Sequence, residues 1–528
     1  MRFFLRVILG ALIIALMGMG LTPQAAYADF PGCRENAPKI ANPEEPPPPG
    51  VLFRKVRIFN GLTDGLSGES DVLVIHNKIN KISATPIVLP DLIKLEDGQE
   101  IAKKDVQTIN GTGHVMMPGL IDDHIHILMS ANQLTTELLN PEAKCQLYPN
   151  ARKEAKNILM RGFTAVRDLG GPVFDLKAEI DRSDYWSLTE QERTNLEERT
   201  PGPRIYPSGA TISQTSGHGD FGEPDARPRR FGGGNSYAED LRATIIADGR
   251  DEVLTATREN LRLGASQIKL MAGGGVSSNY DPLDVVEYTA DELKAAVDAA
   301  SDWGTYVTVH VYNDKGIERA VNAGVKSIEH GHLMSEKTMK LLAKEGVWLS
   351  AQVFELQSES ESALSGENLV KQNEVAKGTA NLFNWAKKYN VNLAWGTDLL
   401  FQPDKTYLQN SFIPKLKTWL SNFEVLKLVT HDNAQLLALS GPRNPYPGEL
   451  GVIKEGAYAD LLLVDGNPLD DLEVLGDYKL AISPLIFNEE ETDNKPEFTM
   501  INHFKVIMKD GKIYKNEISP DVTDDGAV

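Results

Sequence analysis

The first folded stretch of the chain alternates apolar and polar residues. FRKVRIFNG and SDVLVIHNKINKI, within residues 51–82, follow a period of two and predict short strands, with Asn60-Gly61 and Asn77-Lys78 as turns. Residues 89–105 read as a loop-rich insertion, and QTINGTGHVMMPG leads out of it. Between Gly119 and Asp398 the pattern changes. PGLIDDHIHI, FTAVRDLG, RIYPSG, SQIKLMAGG, TYVTVHVY, KSIEHGH, VWLSAQ and VNLAWGTD are short apolar runs. Helix-like stretches separate them, at 150–161, 238–263, 290–303, 315–323, 335–344 and 368–389. Strands alternating with helices predict a parallel sheet, and eight of them predict an α/β fold of the (β/α)8 TIM-barrel type. Two inserts, 181–203 and 221–237, follow strand-like segments and are expected among the active-site loops. A last helix is predicted over 421–439, and residues 451–465 and 504–514 return to strands and turns. The simplest organisation is a small β-sandwich domain built from both chain ends (51–117 and 440–516) beside a barrel of residues 118–439.

The chain termini read differently. Arg2 and Arg6 precede the apolar run Val7 to Leu21, and Ala26-Tyr27-Ala28 is a small-x-small cleavage pattern. Residues 1–28 therefore read as a signal peptide cleaved after Ala28, giving a secreted or periplasmic protein. A retained anchor is the alternative, but the run is short for a membrane span. Residues 29–50 include NPEEPPPPG, a stiff extended linker, and residues 517–528 form an acidic tail expected to be disordered. A net charge of −20 with no basic cluster argues against a nucleic-acid partner. Cys33 and Cys145 are the two cysteines. One disulfide and two buried thiols are both open, and neither cysteine has ligand spacing.

Ten histidines occur, and their placement matters more than their number. His124 and His126 lie two apart at the end of the first strand, so both imidazoles project from one face. An isolated His-x-His is usually accidental. Here His310 and His330 end the fifth and sixth strands, and Asp398 ends the eighth. The C-terminal strand ends of a (β/α)8 barrel meet in one mouth, and a metal site explains four imidazoles and a carboxylate converging there. Lys269 ends the fourth strand. Alone it would read as a lysine reaching solvent. Desolvated beside metal ligands it can lose its proton, take up CO2 as a carbamate and bridge two cations.

The ordered motifs PGLIDDHIH, TAVRDLGG, PRIYPSGATISQTSGHGD, IKLMAGGG, VHVY, IEHG, GTD and GVIKEGAYADLLLVDGNPL resemble the metal-dependent amidohydrolase superfamily. The nearer resemblance is to its imidazolonepropionase-like branch, which includes Xaa-Pro dipeptidases and an ochratoxin-hydrolysing amidase, and it covers roughly residues 51–516. That resemblance implies two divalent ions, expected to be zinc. His124, His126 and Asp398 would hold the more buried one, His310 and His330 the other, with N6-carboxylated Lys269 and a hydroxide bridging them. It implies Asp398 as general base and then acid. Tyr312, on the face of His310, is placed to stabilise the oxyanion, against the alternative of a packed barrel tyrosine. His218, in TSGHGD, resembles a substrate-contacting histidine, although a loop-stabilising role is equally open. His332 is expected to be no ligand, touching substrate or incidental. His76, His114, His431 and His503 read as structural or surface residues.

The function these readings support is an exported binuclear amidohydrolase that cleaves an amide bond in a small peptide, such as an Xaa-Pro dipeptide, or in an N-acyl amino acid. Hydrolysis of lactones, cyclic amides or phosphotriesters is the rival within enzymes. An exported binding protein that has lost catalysis is the rival outside them, and the filled ligand positions argue against it. The expected partner is a small-molecule or dipeptide substrate, with no stable membrane span in the mature chain and homo-oligomerisation open.

Overall fold

The computed structural model describes residues 46–95, 98–134, 138–189, 200–358, 364–476 and 503–518, all within one unit spanning Lys39–Val528. The signal peptide, most of the linker, Cys33 and the acidic tail from residue 519 lie outside the described residues. Cys145 is disulfide-bonded. Among the described residues, no helix is long and apolar enough to cross a membrane.

The N-terminal strands are β1 (Gly50–Ile58), β2 (Ser70–Ile75), β3 (Lys78–Ser83), β4 (Leu92–Lys94), β5 (Glu100–Ala102), β6 (Val106–Asn110) and β7 (Val115–Pro118). Residues 89–105, expected as loop, hold β4 and β5 as an antiparallel pair. The C-terminal strands are β18 (Leu461–Val464), β19 (Phe504–Lys509) and β20 (Lys512–Asn516). Both chain ends join one sheet, in the order β20-β19-β18-β7-β1-β2-β3, with β6 also pairing β1. The seam is antiparallel, with Val115 opposite Val464 and Met117 opposite Leu462. Val56, Val72, Met116, Leu461, Leu463 and Val506 pack in its core. Alternate positions of these strands face that core, which is why the period of two was readable.

The remaining strands are parallel and run along the chain as the alternation predicted. They are β8 (Leu120–Ile125), β9 (Phe163–Asp168), β10 (Arg204–Pro207), β11 (Thr211–Ser213), β12 (Thr244–Ile246), β13 (Ile268–Met271), β14 (Val307–Asn313), β15 (Ser327–Leu333), β16 (Trp348–Ala351) and β17 (Leu393–Trp395). One ladder runs β10-β9-β8 and the other β12-β11-β13-β14-β15-β16-β17. The third expected strand is broken. β10 pairs β9 and β11 pairs β13, and Gly209 between them has φ of 75°. The expected helix 238–263 is also divided. Thr244-Ile245-Ile246 is β-branched and enters the ladder as β12, and the helix proper, Arg250–Leu263, starts after Gly249. The helix expected at 421–439 contains a π-helical turn at Leu428–Asp432.

The insert at 181–203 is not where it was expected. It follows the helix Phe174–Asp181 and leads into β10, so its described part lies toward the start of a strand rather than the end. Ser187 donates to Asp510 and accepts from Asn77, both beside the chain-end sheet. Next to it, Arg204 pairs with Asp460 at 2.7 Å and Asp510 at 3.0 Å and approaches Asp184 at 3.6 Å. Lys509 Nζ sits 2.7 Å from Asp184. All five charged groups are buried, and each carboxylate has a cation in reach.

Candidate metal centre

The strand ends bring the predicted ligands together. His124 lies within β8, and His126 directly follows it as the residue before the short helix Ile127–Ser130. Asp398 Oδ1 lies 3.4 Å from Nε2 of each. Ligand atoms of these three residues all fall within 4.8 Å of one another, a spacing that suits one cation. His330 Nε2 is 3.9 Å from the other oxygen of Asp398. The rings of His310 and His330 are 4.5 Å apart, and those of His124 and His330 5.0 Å apart. His330 and Asp398 take φ of 72° and 52°, so two residues of the set hold left-handed backbone. Such conformations persist where surrounding structure enforces them, as at ligand sites.

Burial sets the charge state. It pushes the imidazole of His124 down to about 4, and His310 and His330 well below their usual range. Neutral imidazoles with free lone pairs are what a cation requires. For Asp398, burial raises the pKa, but His124, His126 and His330 outweigh it and hold the carboxyl below its usual value. Lys269, 1% exposed, is lowered by burial to about 8, against the opposing fields of Glu329 and Asp398. Burial thus favours the neutral amine relative to an exposed lysine. The donor set fits divalent cations that accept imidazole and carboxylate ligands.

His124, His126, Lys269, His310, His330 and Asp398 line one pocket. His218 lines it too, and its ring stacks on His310 at 4.1 Å. Its Nδ1 lies 2.6 Å from Ser278 Oγ and 3.2 Å from Asp281. The same Asp281 oxygen accepts from Ser278 and from the Gly275 amide, both at 2.6 Å. Gly275 is required for this arrangement, because a Cβ there would lie 1.9 Å from the His218 ring. Phe221, at the start of the second insert, also lines the cavity, so that insert lies on the site side as expected. Tyr312 is buried, edge-on to His310 at 4.9 Å, and also belongs to an apolar cluster with Val276 and Val375. His332 does not join the ligands. Its Nε2 meets the Gln352 carbonyl at 3.0 Å, its ring packs on Phe354, and its Nδ1 is buried without a partner. His76 stacks on Trp186, and His431 contacts Asp432, both away from the cavity.

Sequence reasoning missed the supporting polar groups. Gln352 accepts from His330 Nδ1 at 2.7 Å, and Glu329 lies against His124 Nδ1. Strict alternation would turn one of Glu329 and His330 outward. The positive φ at His330 breaks the alternation, and both reach the cluster. Asp281, Ser278 and Glu287 carry no local pattern. Glu287 accepts from the His218 amide at 2.8 Å, and burial raises its carboxyl to about 9.

Residues 115–515 match the amidohydrolase family, and the chain belongs to it. It is a hydrolase of carbon–nitrogen bonds of the amide and peptide kind. Ochratoxinase of Aspergillus niger is 30% identical over 419 residues, 74% of this chain and 80% of that protein. A prolidase solved with N-methylphosphonate-L-proline has a TM-score of 0.70 at 28% identity, covering 88% of this chain and all of that one. A Xaa-Pro dipeptidase with bound methionine shares the fold, with a TM-score of 0.67 at 24% identity and coverage of 88% and 100%.

Proposed function

We propose that this chain is an exported, binuclear metal-dependent amidohydrolase that cleaves the amide bond of a small dipeptide of the Xaa-Pro kind or of an N-acyl amino acid. The observation that carries the reading is one cavity lined by four buried imidazoles, Asp398 and the desolvated Lys269. Similarity to a prolidase and to ochratoxinase supports the substrate class. The ten parallel strands fit a closed barrel, with the chain-end sheet as a separate small domain and cleavage of the leader after Ala28.

In this reading His124, His126 and Asp398 would hold one cation and His310 and His330 the second. The neutral amine of Lys269 adds to CO2. An N–C bond would form with loss of a proton, and the resulting carbamate would add two oxygen donors to the ligand set. Two divalent ions, zinc by the imidazole-rich ligand chemistry, would activate water and polarise a carbonyl. Asp398, kept ionised by the imidazoles around it, accepts the proton of the attacking water and delivers it to the leaving nitrogen. Tyr312, kept protonated by burial, donates to the oxygen that gains charge. His218, fixed through Nδ1, offers its other edge to the carboxylate of the amino-acid product. The test is metal content measured with turnover of dipeptides and N-acyl amino acids. About two ions per chain are expected, with activity lost in Lys269→Ala and in Lys269→Arg, whose guanidinium cannot form the carbamate. One ion with full activity, or a fully active Lys269→Arg, overturns the binuclear scheme.

A further inference from the structure

We propose that Glu329 is a positioning residue for the metal centre, fixing the tautomer and orientation of His124. The proposal rests on the binuclear reading above. Glu329 is fully buried on β15, beside His330. Its Oε1 is saturated, accepting from Arg167 at 2.8 Å, from Ser327 at 3.1 Å and from Thr308. Its Oε2 meets no donor in hydrogen-bond geometry. The imidazole Nδ1 of His124 lies 2.9 Å from that oxygen. A buried carboxylate oxygen left without a donor is costly, and His124 Nδ1 is the donor within reach.

The consequence concerns which nitrogen of His124 carries hydrogen. Its Nε2 faces Asp398 and His330 and must keep a free lone pair to ligate. That requires the hydrogen on Nδ1, and hence an acceptor beside Nδ1. A competing donor exists. The Gln352 amide nitrogen lies 3.3 Å from the same Nδ1 and would favour the opposite tautomer. Glu329 Oε2 is closer, at 2.9 Å, and its carboxyl is held in place by Arg167 through the other oxygen. Arg167 is itself immobile, donating to the Asp123 carbonyl at 2.6 Å and to Tyr306 at 3.2 Å. The carboxylate is thus anchored on one side and presented to the histidine on the other, the arrangement by which outer carboxylates orient metal-bound imidazoles.

The experiment measures zinc affinity of the full chain by competition with a chelator, with metal-free melting as the check on folding. Glu329→Gln, which retains shape but presents an amide, should weaken the tighter zinc by roughly 10–100-fold. Glu329→Asp keeps the charge for Arg167 but withdraws the oxygen from Nδ1, and should also weaken zinc if Glu329→Gln fails to fold. In a His124→Ala background the Glu329 substitution should cost no further affinity, because its effect passes through that ring. Unchanged affinity in the single variants, or an equal loss with and without His124, overturns the proposal. A wild-type chain that takes up no zinc defeats the binuclear reading instead.

Discussion

Gly275→Ala tests whether the cradle around His218 matters to the reaction. The added methyl would sit 1.9 Å from Cε1 and 2.0 Å from Nδ1 of the imidazole, where ordinary contacts start at 3.4 Å. The ring must therefore retreat by about 1.5 Å, the difference between those contact distances. It has no room to do so, because its plane stacks on His310 at 4.1 Å. The alternative is a shift of the loop around residue 275, which breaks the 2.6 Å bond from the Gly275 amide to Asp281 and releases the support of His218 Nδ1. Overpacking of this kind costs about 1–3 kcal/mol of stability. A misplacement of about 1 Å in a positioning group costs on the order of 10²-fold in rate. The assay is kcat/KM on the best amide substrate, with metal content and melting temperature measured on the same preparation. We expect kcat/KM to fall about 10²-fold with metal content unchanged. Gly68→Ala, where nothing lies within 4 Å of the added carbon, should behave as wild type. Wild-type kcat/KM in Gly275→Ala would refute an engaged His218.

Asp398→Asn keeps the side-chain shape but cannot accept a proton. It should retain metal while kcat falls by roughly 10²–10⁴, as followed by turnover and metal content together, and full occupancy with near-normal turnover would remove the shuttle. In the metal-free chain His332 should contribute a loss of stability in acid, opposite in sign to Glu287 and Asp168, whose raised carboxyls take up protons in the folded state. His332 is held down to about 4 by burial, and His124 likewise, so at these two residues the unfolded chain binds more protons between pH 4 and 6.5. That stability is present above pH 6.5 and is lost as pH falls toward 4, by about 3 kcal/mol for His332 alone. Denaturant midpoints of metal-free wild type and His332→Asn at pH 7 and pH 5 check the sign, with the wild type expected to lose more between the two.

That His124, His126, Lys269, His310, His330 and Asp398 would meet was legible because each lies in or next to an apolar strand-like run, and strands alternating with helices bring such segments to a shared location. Likewise the chain-end strands announced their faces through alternation, though not their pairing of β7 with β18 across the whole chain. What stayed hidden depends on contacts distant in sequence. Residues 181–203 follow a strand-like segment in the sequence, but the helix Phe174–Asp181 intervenes and leads the chain toward the start of β10. The break in the third strand turns on the backbone of Gly209, and the split of 238–263 on three β-branched residues that helical spacing masked. Glu329 was invisible because left-handed backbone at His330 defeats the alternation used to assign faces.

The buried charges around Arg204 carry a consequence for how the protein comes apart. Arg204 opens a strand of the parallel ladder, while Asp460 and Asp510 flank strands of the chain-end sheet. If the sheet peeled away alone, it would leave a guanidinium in the ladder facing Asp184 without its two main counterions, before water could fully reach it. Partial detachment is therefore disfavoured, and the two sheets should protect their amides from hydrogen exchange as a single cooperative block rather than in succession.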